Sequence, residues 1–245
     1  MLDNEQLDDL WRGELKILQK KAGFKYGIDA VVLAQFVELK SHQSVLDIGT
    51  GSGIIPILLG AKYPDAHISA IEIQAEYAEM AQRSVAMNQL DNVTITEGDA
   101  KELVELFGKE AFDVVVTNPP YFDKTILSHR RDKAIARSEI LITLKELIDQ
   151  AAQVLKPRGS LYMIFHPGRL SELMSLLSQN RLEPKLLRLI HPSLNKESNM
   201  LLLKATKGGG KELRVLPPLI VYQDGAYTKE IYRIYDDVSI EKERS

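Results

Sequence analysis

Two stretches and two isolated acids hold the residues best suited to chemistry. Asp47-Ile48-Gly49-Thr50-Gly51-Ser52-Gly53 joins one apolar run to another. Glycine at alternate positions permits positive φ and lets a ligand approach the backbone, and a helix starting there offers free N–H groups. The spacing is Gly-x-Gly-x-Gly, not the Gly-x-Gly-x-x-Gly of dinucleotide binders. Asp47, just before the turn, can accept hydrogen bonds from an amino group, whereas it would repel a pyrophosphate. Glu72 follows at the end of the next β-rich run, with two carboxylate oxygens for a diol such as that of ribose. Asp99 closes a third such run and can accept from an amino group such as that of adenine. Taken singly, each residue has a plainer role: the glycines make a tight turn and the acids cap helices. At successive strand ends they compose a ligand site.

The second stretch is Asn118-Pro119-Pro120-Tyr121. Two prolines stiffen the turn, and Pro119 forces Asn118 into extended backbone. The Asn118 side-chain oxygen and the Pro119 carbonyl can then both accept from one planar –NH2 group. Tyr121 offers a ring for stacking on a flat substrate. Phe122 is a second stacking surface or simply packing.

These residues need a scaffold that brings strand ends together. From Ser44 the chain alternates β-rich runs with helical patterns. Strands are expected at Ser44 to Gly49, His67 to Glu72, Val93 to Glu97, Phe112 to Thr117 and Leu161 to Phe165. Helices are expected at Ile54 to Tyr63, Gln74 to Gln89, Leu144 to Leu155 and Gly168 to Gln179, with an amphipathic turn or helix reaching Phe107. Lys156-Pro157-Arg158-Gly159 reads as a stop signal, and Lys185 to Ile190 with Asn199 to Thr206 as a terminal hairpin. A hairpin and a helix from Ile28 to Leu39 precede the first βα unit. The rhythm predicts an α/β fold with a doubly wound, mostly parallel sheet. The order of such a sheet reverses between its first and fourth strands, opening a crevice where the glycine turn and the tetrapeptide meet.

Composition excludes several alternatives. The chain has 245 residues, 44% hydrophobic and 27% charged, so a sizeable core forms. A net charge of −3 is not that of a basic nucleic-acid coat. Cysteine is absent, which removes disulfides, thiolate metal sites and cysteine nucleophiles and fits a reducing compartment. Five scattered histidines without ligand spacing argue against zinc, so no metal is expected. No apolar run approaches a membrane span, and the acidic start is unlike a targeting peptide. A soluble, cytoplasmic protein, monomeric or weakly dimeric, is the expectation.

Between Ser44 and Phe165 these residues resemble the class I S-adenosylmethionine-dependent methyltransferases. The resemblance implies a Rossmann-like sheet of seven strands. It implies that the loop Gly49 to Gly53 packs on the methionine part of the cofactor, that Glu72 holds the ribose, that Asp99 faces the adenine, and that Asp47 and Asn118 also belong to the cofactor site. Ile73 is then an apolar wall for the adenine ring; equally, it is core. The tetrapeptide matches the signature shared by adenine-N6 enzymes, guanine-N2 rRNA enzymes and release-factor glutamine methyltransferases. An amide or aromatic amine is a poor nucleophile, and two acceptors on its hydrogens favour the geometry in which its lone pair is exposed. No metal or strong base is needed, because the alkylated nitrogen is very acidic.

Further stretches narrow the likeness. Leu15-Lys-Ile-Leu-Gln19, Phe24-Lys-Tyr-Gly-Ile-Asp29-Ala-Val-Val-Leu-Ala34, Ala136-Arg137-Ser138-Glu139, Asn118 to Phe122, Lys207-Gly-Gly-Gly210 and Pro217-Pro218-Leu-Ile-Val-Tyr222 are similar to the bacterial valine-tRNA adenine-N6-methyltransferase family, which modifies adenine 37 beside the anticodon. Residues 1–40 precede the first βα unit as an N-terminal extension, 41–207 are the methyltransferase domain, and Gly208-Gly209-Gly210 marks a flexible joint at the start of 208–245, a segment packed on or extending it. Asp29 is either a helix N-cap or a residue closing the cofactor pocket. The partner implied is tRNA, in its anticodon region. Lys124, Arg130, Arg131, Lys133 and Arg137 stand against Asp132 alone, and eight cations against three acids lie between Arg181 and Arg214. Each patch is a phosphate site or a solvated surface. Protein glutamine methylation and rRNA guanine-N2 methylation are the alternatives within the chemistry. A non-catalytic cofactor-binding module and a nicotinamide oxidoreductase are the alternatives outside it.

Overall fold

A computed structural model describes residues 2–10, 14–21, 27–119 and 142–236 of the chain. Its centre is a run of parallel strands, rich in β-branched and aliphatic residues because both faces are covered. These are β3 (Ser44–Ile48), β4 (His67–Glu72), β5 (Val93–Glu97), β6 (Phe112–Thr117) and β7 (Leu155–Phe165). β3 lies between β4 and β6, β5 flanks β4, and β7 flanks β6, all parallel. The antiparallel hairpin of β8 (Leu182–Ser193) and β9 (Met200–Lys207) joins through β9 to β7. This order is the doubly wound sheet that the rhythm of the chain predicts, with the seven Rossmann-like strands that the resemblance implies.

The sheet is wider than expected. Three short C-terminal strands, β10 (Arg214–Val215), β11 (Leu219–Gln223) and β12 (Ala226–Tyr227), bring it to ten. β10 and β11 both pair in parallel with β8. They supply partners for backbone groups that an open edge would leave unpaired. Pro217-Pro218 sits between them, where no ladder bond is lost.

Alternation along the strands divides the core into two layers. Val45, Val114, Val116, Tyr162 and Ile164 join one cluster with residues of α1 (Ile28–Phe36), α2 (Ile54–Lys62), α3 (Ala75–Met87) and the C-terminal α7 (Lys229–Asp236). Leu46, Ile48, Val115, Leu161 and Met163 join the other with α4 (Leu103–Phe107), α5 (Leu144–Val154) and α6 (Leu170–Gln179). α2 is buried from Ile54 to Gly60, as its apolar composition demands. α5 begins in a capping box of Thr143 and Glu146, a local helix-start signal.

Lys156 to Gly159 does not separate helix from strand as the stop signal suggested. Leu155 already pairs with Phe112, and the next pair is Val114 with Ser160, so the intervening residues bulge from β7. Arg158 takes φ 67°, and a Cβ on Gly159 would come within 3.0 Å of the Asp113 carbonyl oxygen. The proline and glycine shape a bulge, a role that dipeptide signals alone do not distinguish from a turn.

At the N-terminus, β1 (Glu5–Leu10) and β2 (Leu15–Lys20) form an antiparallel hairpin. The Ser84 hydroxyl accepts the Leu18 N–H and the Asn88 side chain accepts the Lys16 N–H, binding β2 along α3. Because Lys16 meets the end of α3 and Lys20 pairs with Glu76 near its start, β2 runs antiparallel to α3. The hairpin thus carries the chain up to the carboxyl edge of the sheet, where α1 begins. No helix among the described residues is long and apolar enough to cross a membrane.

Candidate active site

The site forms at the carboxyl ends of β3, β4, β5 and β6. Ile48 is in register with Thr117, so Gly49 and Asn118 leave adjacent strands side by side. The buried Thr117 hydroxyl donates to the Ile48 carbonyl at 3.1 Å and ties the two exits together. Gly49 and Thr50 both donate their N–H to the Ile71 carbonyl at 3.0 Å, folding the glycine turn onto β4.

The glycines have the backbone their spacing predicts. Gly49, Gly51 and Gly53 take φ of 74°, 57° and 90°, a region costly for residues bearing a Cβ. No described atom lies within 4 Å of where a Cβ on Gly49 or Gly51 would stand, so both face open space. Gly53 differs: a Cβ there would come to 3.0 Å of the Ala81 Cβ, so this glycine lets α2 and α3 approach.

Asp47 points to the α1–α3 face, because it alternates with Leu46 and Ile48. It is 0% exposed, and neither carboxylate oxygen has a hydrogen-bond partner among the described residues. Burial pushes its carboxyl up to about 7; the Thr50 hydroxyl opposes the rise and the charge of Glu72 adds to it. An orphan buried carboxylate costs several kcal/mol unless something cationic or hydrogen-bonding meets it. Beside an open glycine cradle, it fits the ammonium group of S-adenosylmethionine.

Glu72 is also buried, and both its oxygens accept from backbone: Gly51 N–H and Gln74 N–H, each at 2.9 Å. Oε2 retains a further lone pair, while Oε1 also accepts from Gln74 Nε2 at 3.5 Å, a long bond that a ligand can displace, so this bracing is compatible with holding a diol. Ile73 is half-exposed beyond the strand end. Asp99 accepts the Lys101 N–H at 2.9 Å and caps a short 3-10 turn, the plainer of its expected roles.

Asn118 and Pro119 are half-buried at the end of β6. Asn118 has the parity of Val114 and Val116, which places it toward α1. There its Nδ2 donates to Asp29 Oδ2 at 3.0 Å. Of the two roles expected for Asp29, the helix cap is not the one it takes. Gly27 stands at the cap position and Asp29 falls within the first turn. Pro120, Tyr121, Phe122, Arg130, Arg131 and Arg137, expected to contact substrate, lie outside the described residues. In the second basic stretch, several cations serve the fold. Arg188 bonds Glu230 and the Pro217 carbonyl, Lys185 the Gly210 carbonyl and Lys207 the Leu155 carbonyl.

A doubly wound sheet with a glycine turn and a buried acid at its carboxyl edge suits a methyltransferase that uses S-adenosylmethionine, and a family match makes this chain one. The sequence profile of the methyltransferase small domain matches residues 25–179, and the chain belongs to that family. It is 32% identical over 196 residues, 77% of each chain, to the tRNA1(Val) (adenine(37)-N6)-methyltransferase of Porphyromonas gingivalis strain W83. The enzyme of the same name from Bacteroides thetaiotaomicron is 25% identical over 220 residues, 89% of this chain and 86% of that one. Among solved structures, a predicted O-methyltransferase from Agrobacterium tumefaciens superposes with TM-score 0.69 at 23% identity, covering 86% and 96% of the two chains. M. jannaschii TYW2 in complex with AdoMet superposes with TM-score 0.58 at 15% identity, covering 84% and 86%. At these identities the two structures speak for the fold alone.

Proposed function

We propose that this protein methylates the exocyclic N6 amino group of a tRNA adenine, with adenine 37 of a valine tRNA as the target. The observation that carries the reading is the adjacency of the cofactor turn and the amino-group acceptor: Gly49 and Asn118 leave neighbouring strands in register. The names of the relatives, which act on tRNA1(Val), support the choice of nucleic acid and position.

In this reading Asp47 and the turn Gly49 to Gly53 hold the methionine end of the cofactor. Glu72 takes the ribose while bracing the turn, and Ile73 and Asp99 line the adenine. S-adenosylmethionine supplies an electrophilic methyl group. The chain's own residues do the rest. The Asn118 oxygen and the Pro119 carbonyl accept the two N6 hydrogens and turn the nitrogen lone pair toward the cofactor. As the nitrogen bonds to the methyl carbon and the methyl–sulfur bond breaks, these acceptors stabilise the charge it gains. One proton then leaves the nitrogen to solvent. Tyr121 and Phe122 stack on the base, which an anticodon loop can splay out at low cost. Arg130, Arg131 and Arg137 hold flanking phosphates.

The test is transfer of labelled methyl from S-adenosylmethionine to total tRNA from a strain lacking this protein, followed by digestion to nucleosides. Label in N6-methyladenosine is the expected result. Label in N2-methylguanosine, or in a co-incubated release factor and not in RNA, would overturn the assignment.

A further inference from the structure

Asp29 occupies an unusual place. It lies in an otherwise apolar stretch, Ile28-Asp29-Ala30-Val31-Val32-Leu33, and is only 8% exposed. Burying a carboxylate is unfavourable unless a structure holds it. Here the first turn of α1 offers a positive dipole end, and no side chain caps that helix among the described residues. One oxygen, Oδ2, accepts the Asn118 Nδ2–H at 3.0 Å across 89 residues of chain. The other, Oδ1, lies over Gly27, where a Cβ would come to 2.5 Å. Gly27 has φ −100°, which any residue adopts, so glycine is there for the space it leaves to the carboxylate.

The side-chain amide of asparagine can turn over by rotating its last torsion, exchanging oxygen and nitrogen. A carboxylate only accepts. It therefore selects the orientation in which Nδ2 faces Asp29 and Oδ1 faces away from it. We propose that Asp29 is a positioning residue for amino-group methylation: it holds the Asn118 amide with its oxygen presented to the substrate nitrogen. Its charge also polarises the amide, making that oxygen a better acceptor as the nitrogen turns cationic. This inference rests on the reading of Asn118 as the acceptor for the substrate –NH2 group.

The experiment is a swap of donor and acceptor, using the full chain, S-adenosylmethionine and total tRNA, with kcat, the KM for RNA and the cofactor Kd measured separately. Asp29→Leu removes the acceptor and should lower kcat about 100-fold, with cofactor Kd and RNA KM within about threefold. Asp29→Asn can still accept from Asn118 but lacks the charge, and should lower kcat about 10-fold. Asn118→Asp sets two carboxylates against each other and should lose at least about 100-fold. The double variant Asp29→Asn/Asn118→Asp restores a donor opposite an acceptor and should recover at least about 10-fold over Asn118→Asp alone. Recovery of kcat with the cofactor Kd and RNA KM unchanged across all four variants separates positioning from a purely structural role, which would move binding as well.

An active wild type whose double variant is no better than Asn118→Asp, with cofactor Kd preserved in both, overturns the inference alone. So does an Asp29→Leu protein with wild-type kcat. A wild type that transfers no methyl group to tRNA sinks the functional reading and this inference with it. Gly27→Ala is the independent check. By crowding Asp29 Oδ1 it should lower kcat without changing cofactor Kd, and an unchanged kcat counts against the proposed geometry.

Discussion

The Gly51 backbone N–H donates to the Glu72 carboxylate at 2.9 Å, so the residue at the end of β4 braces the turn that follows β3. The second Glu72 oxygen accepts from Gln74 at 2.9 Å and holds the start of α3 in the same way. Charge-assisted bonds of this kind contribute about 1.5–3 kcal/mol each. Glu72→Ala should therefore weaken cofactor binding at least about 10-fold and raise amide hydrogen exchange across Gly49 to Gly53. Calorimetry and exchange mass spectrometry measure the two effects. Unchanged exchange in the loop would show that Glu72 is not its brace.

Asp47 makes the ligand-free protein sensitive to pH. Its carboxyl rises from 3.8 to about 7 in the folded chain, so between those values the folded state holds a proton that the unfolded state has released. The stability it contributes is fully present below about 4 and is lost as pH rises through 7. Asp47→Asn should stabilise the ligand-free protein by about 4 kcal/mol at pH 8 and by nothing near pH 4. The same variant should bind cofactor poorly, since it lacks the anionic partner for an ammonium group. Melting curves of both proteins across that range decide the matter, and parallel curves would contradict it.

Cofactor affinity of the wild type should itself rise with pH up to about 7, because a cationic ligand favours ionised Asp47. Titrations in buffers of different ionisation enthalpy should reveal proton release on binding below that pH. Binding without proton release at pH 6 would mean that the cofactor does not meet this carboxylate.

Asn118→Ala should lower turnover at least about 100-fold while leaving cofactor affinity within a few fold. In the proposed reaction the side chain accepts from substrate, and it is braced by Asp29; the cofactor turn is braced separately, by Ile71 and Glu72. A large loss of cofactor binding in this variant would place Asn118 in the wrong half of the site.

The hairpin is pinned by a buried acid. Glu5 is 2% exposed and is gripped by two Arg83 nitrogens, one at 2.8 Å. The Arg83 guanidinium, helped by the Leu2 N–H, holds its carboxyl down at about 2. The stabilisation is present above about 4.5 and is lost as pH falls toward 2. Glu5→Gln should cost roughly 1–2 kcal/mol near neutral pH, discounted because Arg83 is partly solvated. A melting temperature unchanged at pH 7 would deny the pair any anchoring role.

Much of the site could be read along the chain. Gly49, Gly51 and Gly53 had to adopt positive φ, and Asp47, Glu72, Asp99 and Asn118 had to stand at strand ends, because local runs and turn residues settle where strands stop. Asp29 was harder. A carboxylate at the start of an apolar helix suits a cap and a pocket residue equally, and the cap position falls on Gly27. The bulge at Lys156 to Gly159 was hidden for a similar reason: proline and glycine announce a break in regular backbone, not whether a neighbouring strand resumes pairing across it.

By itself the sequence determined the alternation of strands and helices, the glycine turn and the amino-group signature, since each depends on neighbours within a few residues. Tertiary structure alone decided which distant groups meet. The Asn118–Asp29 bond spans 89 residues and the Thr117–Ile48 bond 69. Both require β6 beside β3, and the first also requires α1 on the face toward which Asn118 points. Strand order and face are outcomes of packing the whole core, so no local pattern could place an acid from the first helix against the residue at the end of the sixth strand.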